Sequence, residues 1–275
     1  MKHLKSKLRL DEYLVENEYF ENSEQAKRNI MAGNVIINEV KKEKPGEIID
    51  RSKIKTIRVK ERDIPYVSRG GLKLEKAIKI FNIDFKEKVV LDIGASTGGF
   101  TDCALQNYAK FVYAVDVGTN QLDWKLRNNS KIKSIENKHI NDLNLSDLDN
   151  IMPDIIVMDI SFISIKKVIL AIKEFMNDKS RAIFLIKPQF EAEKENLDKG
   201  IVKDLNIHKQ ILKDVVEDLT LKEIYLKNIT TSPIRGGKGN IEYLAEFSLE
   251  KQKEKEDILE MINKLVEENI HKKIF

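Results

Sequence analysis

From Val89 to Lys187 short apolar runs alternate with amphipathic stretches, and this alternation constrains the fold more than any other feature of the chain. VVLDI, FVYAVD, KIKSIE, DIIVMDI and RAIFLIK read as strands, with helical segments such as DCALQNYA and FISIKKVILAIKEFM between them. Strands joined by helices run parallel, because each crossover returns over a face of the sheet. Ahead of the first strand, LKLEKAIKIFN places Leu74, Ala77, Ile78 and Phe81 on one helical face. After the fifth, LKEIYLKNIT and IEYLAEFSLE read as two further strands joined by the turn-rich SPIRGGKGN. EDILEMINKLVEENIHKKIF is an amphipathic helix whose polar face is mixed in sign, which predicts packing on the domain and not on a membrane. Residues 70–275 are therefore expected to form an α/β domain around a seven-stranded, mostly parallel sheet.

Residues 1–62 read as a separate small α+β unit, and 63–69 as a linker in which Pro65 keeps Ile64 extended. LRLDEYLVENEYF has helical spacing, and Ser23 stands as an N-cap for SEQAKRNIMAG, which stops at Gly33. NVIINEVKKEKPGEIID and KIKTIRV read as short strands around a KPG turn. This unit has 15 basic and 11 acidic residues, whereas the remainder has 33 and 34. The positive excess sits at the N-terminal end, which suggests a polyanion partner there.

Other classes are disfavoured. Cys103 is the single cysteine, so there is no internal disulfide, and a reducing compartment fits. The four histidines are scattered without metal-ligand spacing. No apolar run has the length of a membrane span, and Asp11 and Glu12 interrupt the basic N-terminus, which does not read as a secretory signal. A cytoplasmic protein without a metal is expected.

LDIGASTGGF follows the first strand and opens a helix, the place where α/β sheets bind ligands. Its glycines lack the G-x-G-x-x-G spacing of a dinucleotide site, and no P-loop Gly-Lys-Ser/Thr is present. Asp92 at the strand end suits a cationic group better than a phosphate. S-adenosylmethionine carries an amino group and a sulfonium and has no phosphate. Asp116, ending YAVD, is placed to accept ribose hydroxyls. The candidate cofactor residues are Asp92, Gly94, Ala95, Ser96, Gly98, Gly99, Phe100 and Asp116. The alternative is that both motifs mark tight turns of another α/β protein. Asp159 follows the fourth strand, Lys187 the fifth, Glu242 opens the last, and Lys73 lies on the helix leading in. Asp159 is not followed by the two prolines and aromatic of enzymes that methylate planar amino groups. Two lysines and two carboxylates can converge here without net charge, unless they are unrelated surface ion pairs.

SRGGLKL, DISF, KPQFE and GNIEY resemble the Lys-Asp-Lys-Glu tetrad of FtsJ-like ribose methyltransferases, which have a Rossmann-like, S-adenosylmethionine-dependent fold. RLDEYL, SEQAKRNIMAGNVIIN and KKEKPGEII resemble the S-four (αL) RNA-binding module. Together with VYAVDVGTNQLDWKLR and DKGIVKD, the whole chain is similar to the TlyA, or haemolysin A, family. The resemblance implies methylation of cytidine 2′-hydroxyls in ribosomal RNA, with ribosomal RNA or subunits as partner. It makes Lys73, Asp159, Lys187 and Glu242 catalytic and turns Arg9, Ser23, Gln25, Lys27, Arg28, Lys41 and Lys42 toward RNA. Arg235 and Lys238 in the glycine loop are further phosphate candidates, against a solvated turn. Phe162 and Phe190 could stack a flipped cytosine or belong to the core. ENKHIND, Glu136 to Asp142, departs from the family's usual Glu-Arg-Thr-Asn run on the adenine side of the pocket. Lys187 serves either as a base, its pKa lowered by Lys73, or as a charged group that positions the hydroxyl. A non-catalytic RNA-binding protein is one rival. A membrane-lytic protein, suggested by the family's older name, is the other, but no strongly apolar face supports it.

Overall fold

The computed structural model describes residues 7–17, 19–20, 22–59 and 64–271, and the chain divides into two compact units, Met1–Pro65 and Tyr66–Phe275. The expected linker is tied into the second unit from Tyr66 onward. The Val67 N–H donates to the Asp102 carboxylate at 2.8 Å, and Gly71 leaves room for the Tyr66 ring. Residues 60–63 lie outside the described residues.

The first unit comprises β1 (Lys7–Arg9), α1 (Leu10–Glu16), α2 (Ser23–Met31), β2 (Val35–Ile37), β3 (Val40–Lys42), β4 (Ile48–Asp50) and β5 (Ile57–Val59). β1 pairs antiparallel with β4, and β3-β2-β5 form an antiparallel sheet. Leu10, Leu14, Ala26, Ile30 and Val35 are its buried centre. Ile37 opposes Val40 across a two-residue turn, Asn38-Glu39, in which both residues have positive φ as a type I′ hairpin requires. The expected Ser23 cap is displaced by one residue. The Ala26 N–H bonds the Asn22 carbonyl, so Ser23 is the first residue within α2.

The second unit begins with α3 (Gly70–Phe81). It continues through β6 (Val89–Ile93), α4 (Gly99–Gln106), β7 (Phe111–Val115), α5 (Trp124–Arg127), β8 (Ile132–Ile135), β9 (Ile155–Met158), α6 (Ile169–Lys173), β10 (Arg181–Ile186), α7 (Pro188–Glu191), α8 (Leu205–Leu221), β11 (Tyr225–Thr231), β12 (Tyr243–Ser248) and α9 (Lys255–His271). All seven strands form one sheet in the order β11-β12-β10-β9-β6-β7-β8. Only β12 runs against its neighbours. One face is covered through Leu74, Phe81, Phe100 and Cys103, the other through Leu212, Val215, Leu219 and Ile262. The strand order reverses between β6 and β9. The carboxyl ends of the parallel strands, the end of β11 and the start of β12 therefore share one edge, where α/β sheets take ligands.

Candidate active site

That edge gathers the four groups expected from sequence. Asp159 leaves β9, Lys187 leaves β10, Glu242 precedes β12 and Lys73 projects from the first turns of α3. Lys73 Nζ lies 3.1 Å from Asp159 Oδ2 and 2.9 Å from Glu242 Oε2, and Lys187 Nζ lies 2.6 Å from Asp159 Oδ1. Asp159 thus gives one oxygen to each lysine. Lys73, Lys187 and Glu242 are buried, where an unpaired charge would be expensive, and the array is neutral overall. Burial pulls the Lys73 pKa down, but Asp159 and Glu242 outweigh it, so the net shift is upward. For Asp159 burial raises the pKa, and the two lysines overcome it and hold the carboxyl below its ordinary value.

Neighbours that the sequence did not mark complete the array. Ser161 Oγ accepts from Lys187 at 2.7 Å, and Gln189 Nε2 donates to Glu242 Oε1 at 3.1 Å. Gly236 packs on the same carboxylate: a Cβ there would stand 2.0 Å from Oε1. The loop carrying Gly236 is clamped by Asn240, only 2% exposed, which donates to the Gly200 and Gly237 carbonyls and accepts from the Val202 N–H. Behind it, buried His208 donates from Nε2 to the Val202 carbonyl, so its Nδ1 accepts from the Tyr243 hydroxyl. SPIRGGKGN marks a tight turn but not which neighbour it presses on, and nothing in the sequence marks Ser161, Gln189 or His208.

A cavity of about 470 Å³ opens from Asp159 toward β7. Gly94, Ser96 and Asp116 of the expected cofactor set line it, with Gln121, His139 and Ile140. Gly94 has φ +81, and a Cβ there would meet the Asp159 carbonyl oxygen at 2.9 Å, so the loop after β6 can hug the end of β9 only as glycine. Asp116 accepts from the Ser96 and Gly118 N–H groups, one on each carboxylate oxygen. The remaining expected cofactor residues do not line this cavity. Asp92 is fully buried, accepts from Thr101 Oγ1 at 2.6 Å, and its Oδ1 has no partner. Ala95 packs with Leu122 and Leu126, Gly98 meets the same two leucines, and Gly99 presses on Ser68 and Gly71. Phe100 lies in the core. Most of the glycine cluster serves helix packing. The departing run after β8 does reach the cavity, through Lys138, His139 and Ile140.

The basic candidates of the first unit are largely exposed and ion-paired within it. Arg9 holds buried Asp11 through two hydrogen bonds, Lys27 stands 4.0 Å from the same carboxylate, and Arg28 pairs with Glu24. Lys41 pairs with Glu43, Lys42 with Glu47, and Ser23 is exposed. The side chain of Gln25 lies outside the described residues. In the second unit Arg235 donates to the Gly239 carbonyl and Lys238 to that of Lys199, which braces the glycine loop. Among the described residues no cluster of His, Cys, Asp and Glu is arranged to hold a metal, and no helix is long and apolar enough to cross a membrane.

Comparison with known proteins gives the family. Residues 66–248 match the FtsJ-like methyltransferase family. Hemolysin A of Brachyspira hyodysenteriae is 46% identical over 245 residues, covering 87% of this chain and 99% of its own. The 16S/23S rRNA (cytidine-2′-O)-methyltransferase TlyA of Mycobacterium tuberculosis is 32% identical over 236 residues, covering 86% and 87% respectively. A solved structure from Streptococcus thermophilus that carries a hemolysin name superposes with a TM-score of 0.75 at 40% identity, over 98% of this chain and 99% of that one. This chain belongs to the FtsJ-like methyltransferase family, alongside the proteins named TlyA and hemolysin A.

Proposed function

We propose that this protein methylates the ribose 2′-hydroxyl of cytidines in ribosomal RNA, using S-adenosylmethionine bound in the cavity beside Asp159. The observation that carries the reading is the neutral Lys73–Asp159–Lys187–Glu242 array at the cavity's edge. The cavity fits the cofactor in size and chemistry. Its volume lies within the usual range for ligand sites. The carboxylates of Asp116 and Asp159 on its wall, with the unpartnered oxygen of Asp92 behind, suit a cationic ligand. Gly94, Ser96, Asp116, His139 and Ile140 would hold it, and each oxygen of Asp116 keeps a lone pair for a ribose hydroxyl. The bound cofactor supplies a methyl group activated by its sulfonium.

The acceptor chemistry falls to Lys187. Its Nζ meets Asp159 and Ser161, and an ammonium has a third N–H for the 2′-oxygen. Asp159, standing between the two lysines, favours the positioning role over the base. Lys187 orients the hydroxyl, whose proton leaves to water as the oxygen accepts the methyl group, with proximity contributing most of the rate. Lys73 anchors both carboxylates. Phe162 is 90% exposed, so it is no core residue, and its ring stands 5.1 Å from that of Phe190. This pair offers a face for an extruded cytosine. A ribosomal substrate places the protein in the cytoplasm.

The test is a map of ribose methylation in ribosomal RNA from cells with and without the protein, followed by transfer to unmodified subunits in vitro. A cytidine that loses its methyl group without the protein and regains it in vitro is expected. Cofactor binding without transfer to any RNA would instead support a non-catalytic RNA-binding protein.

A further inference from the structure

Methylation of a ribose hydroxyl releases its proton, and the array of lysines and carboxylates is poorly suited to take it. A charged lysine only donates. Each oxygen of Asp159 and of Glu242 already accepts from a lysine or from Gln189. The two lysines beside Asp159 hold its carboxyl below the ordinary value, which makes it a weak proton acceptor. Lys73, Lys187 and Glu242 are also buried, away from the solvent that finally receives the proton.

Ser161 differs on each count. It is exposed, lines the cofactor cavity with Asp159, and its Oγ accepts from Lys187 Nζ at 2.7 Å. A hydroxyl has two lone pairs and one O–H, so one lone pair and the O–H remain after the Lys187 bond. The turn that presents Ser161 is held against its own backbone preference, because Phe162, the next residue, has φ +66, which a bulky side chain rarely adopts. Geometry then fixes how Ser161 meets the acceptor. The N–H bonds of an ammonium diverge tetrahedrally, so Ser161 Oγ and a 2′-oxygen held on two of them stand about 4.5 Å apart. That is too far for a direct hydrogen bond and suits one bridging water.

We propose that Ser161 is a positioning residue that holds the water receiving the 2′-proton, at the cavity wall beside Lys187. The assignment rests on the ribose-methylation reading above. As the 2′-oxygen bonds the methyl carbon, the carbon–sulfur bond breaks with its electron pair left on sulfur, and the 2′-O–H proton passes to the water. The water becomes hydronium and hands the proton on to solvent, to which Ser161 is open. The positive charge of the sulfonium thus departs as the proton, and no carboxylate of the array has to be protonated. Lys187 holds the oxygen, and Ser161 holds the water that relieves it of its proton.

The experiment is single-turnover methyl transfer to unmodified ribosomal subunits by the full-length protein, its Ser161→Ala, Ser161→Thr and Lys187→Ala variants, and the Ser161→Ala, Lys187→Ala double variant. Transfer by the wild type tests the underlying reading on its own, and without it both proposals fall. Ser161→Ala should slow transfer by on the order of tenfold, the scale of one hydrogen bond, with affinity for the subunit and for S-adenosylmethionine unchanged. Ser161→Thr keeps the hydroxyl and should recover most of that loss. Because the water is a separate contact to the reacting hydroxyl, Ser161→Ala should slow the Lys187→Ala enzyme by a similar factor. A serine that only orients Lys187 would have nothing left to do in that background, and an unchanged rate there would overturn the proposal. So would a wild-type rate for Ser161→Ala, a Ser161→Thr variant as slow as Ser161→Ala, or a loss confined to substrate affinity.

Discussion

Two lysines bonded to the same aspartate have different duties in the proposed mechanism, and substitution separates them. Lys187→Ala removes the group that meets the hydroxyl while Asp159 keeps Lys73 as partner. Turnover should fall on the order of 10²–10³-fold with cofactor affinity intact. Lys73→Ala leaves Glu242 without its ion partner in a buried setting, so it should also lower stability by about 3–5 kcal/mol in urea unfolding. Equal stability of the two variants would contradict this division. Asp92 gives a pH signature. Burial pushes its carboxyl from the ordinary 3.8 up to about 7. The unfolded chain therefore releases this proton at lower pH than the native one, and stability declines as pH rises from about 4 to about 7. Asp92→Asn, which can still accept from Thr101, should melt higher than the wild type by a margin that widens between about pH 5 and about pH 8. A constant margin in thermal melts would show that Asp92 does not titrate as described.

At the scale of elements, the parallel strands were legible because both faces are buried, so each reads as a continuous apolar run. All seven strands expected from sequence occur. Helices were read less completely. FISIKKVILAIKEFM forms only a 3-10 turn at Ile165–Lys167 and the short α6, because its first residues line the cavity and its start is tied by Ser164 and Ile165 to Glu191. α8 is not among the helices expected from sequence, although Ile211, Leu212, Val215, Val216 and Leu219 keep helical phase. The four catalytic candidates were legible because each stands at one end of a recognisable strand or in the first turns of a helix. Gly236, Asn240 and His208 were not, because their role is contact with Glu242 or its loop, which no local spacing encodes. Gly236 has an ordinary φ of −73, so Gly236→Ala adds no backbone strain, only a methyl against the Glu242 carboxylate. Displacing that carboxylate from Lys73 should reduce kcat by on the order of 10²-fold and, because the pair is buried, lower the melting temperature as well. Near-normal kcat would mean that Glu242 tolerates a shifted position.

At the scale of the whole molecule, charge is distributed by function. The proposed chemistry sits in a neutral array, while Met1–Arg62 hold 15 basic against 11 acidic residues. Arg28 with Glu24 and Lys41 with Glu43 pair at exposed positions, and such pairs contribute little to stability. They can exchange a carboxylate for an RNA phosphate at little expense, and counterion release then favours binding. The fold of the first unit should therefore survive charge reversal at its surface. Lys27→Glu with Arg28→Glu should weaken binding to ribosomal RNA and flatten its salt dependence by roughly 0.7–0.9 per lost phosphate contact. Cofactor affinity should be unaffected, because the residues around the cofactor cavity all lie in the second unit. Deleting residues 1–62 should act in the same direction and more strongly, since the second unit has its own sheet and core. If the reversed and deleted forms bound ribosomal RNA with wild-type affinity and salt slope, phosphate recognition would belong wholly to the second unit. The positive excess of the first would then be an ordinary solvated surface.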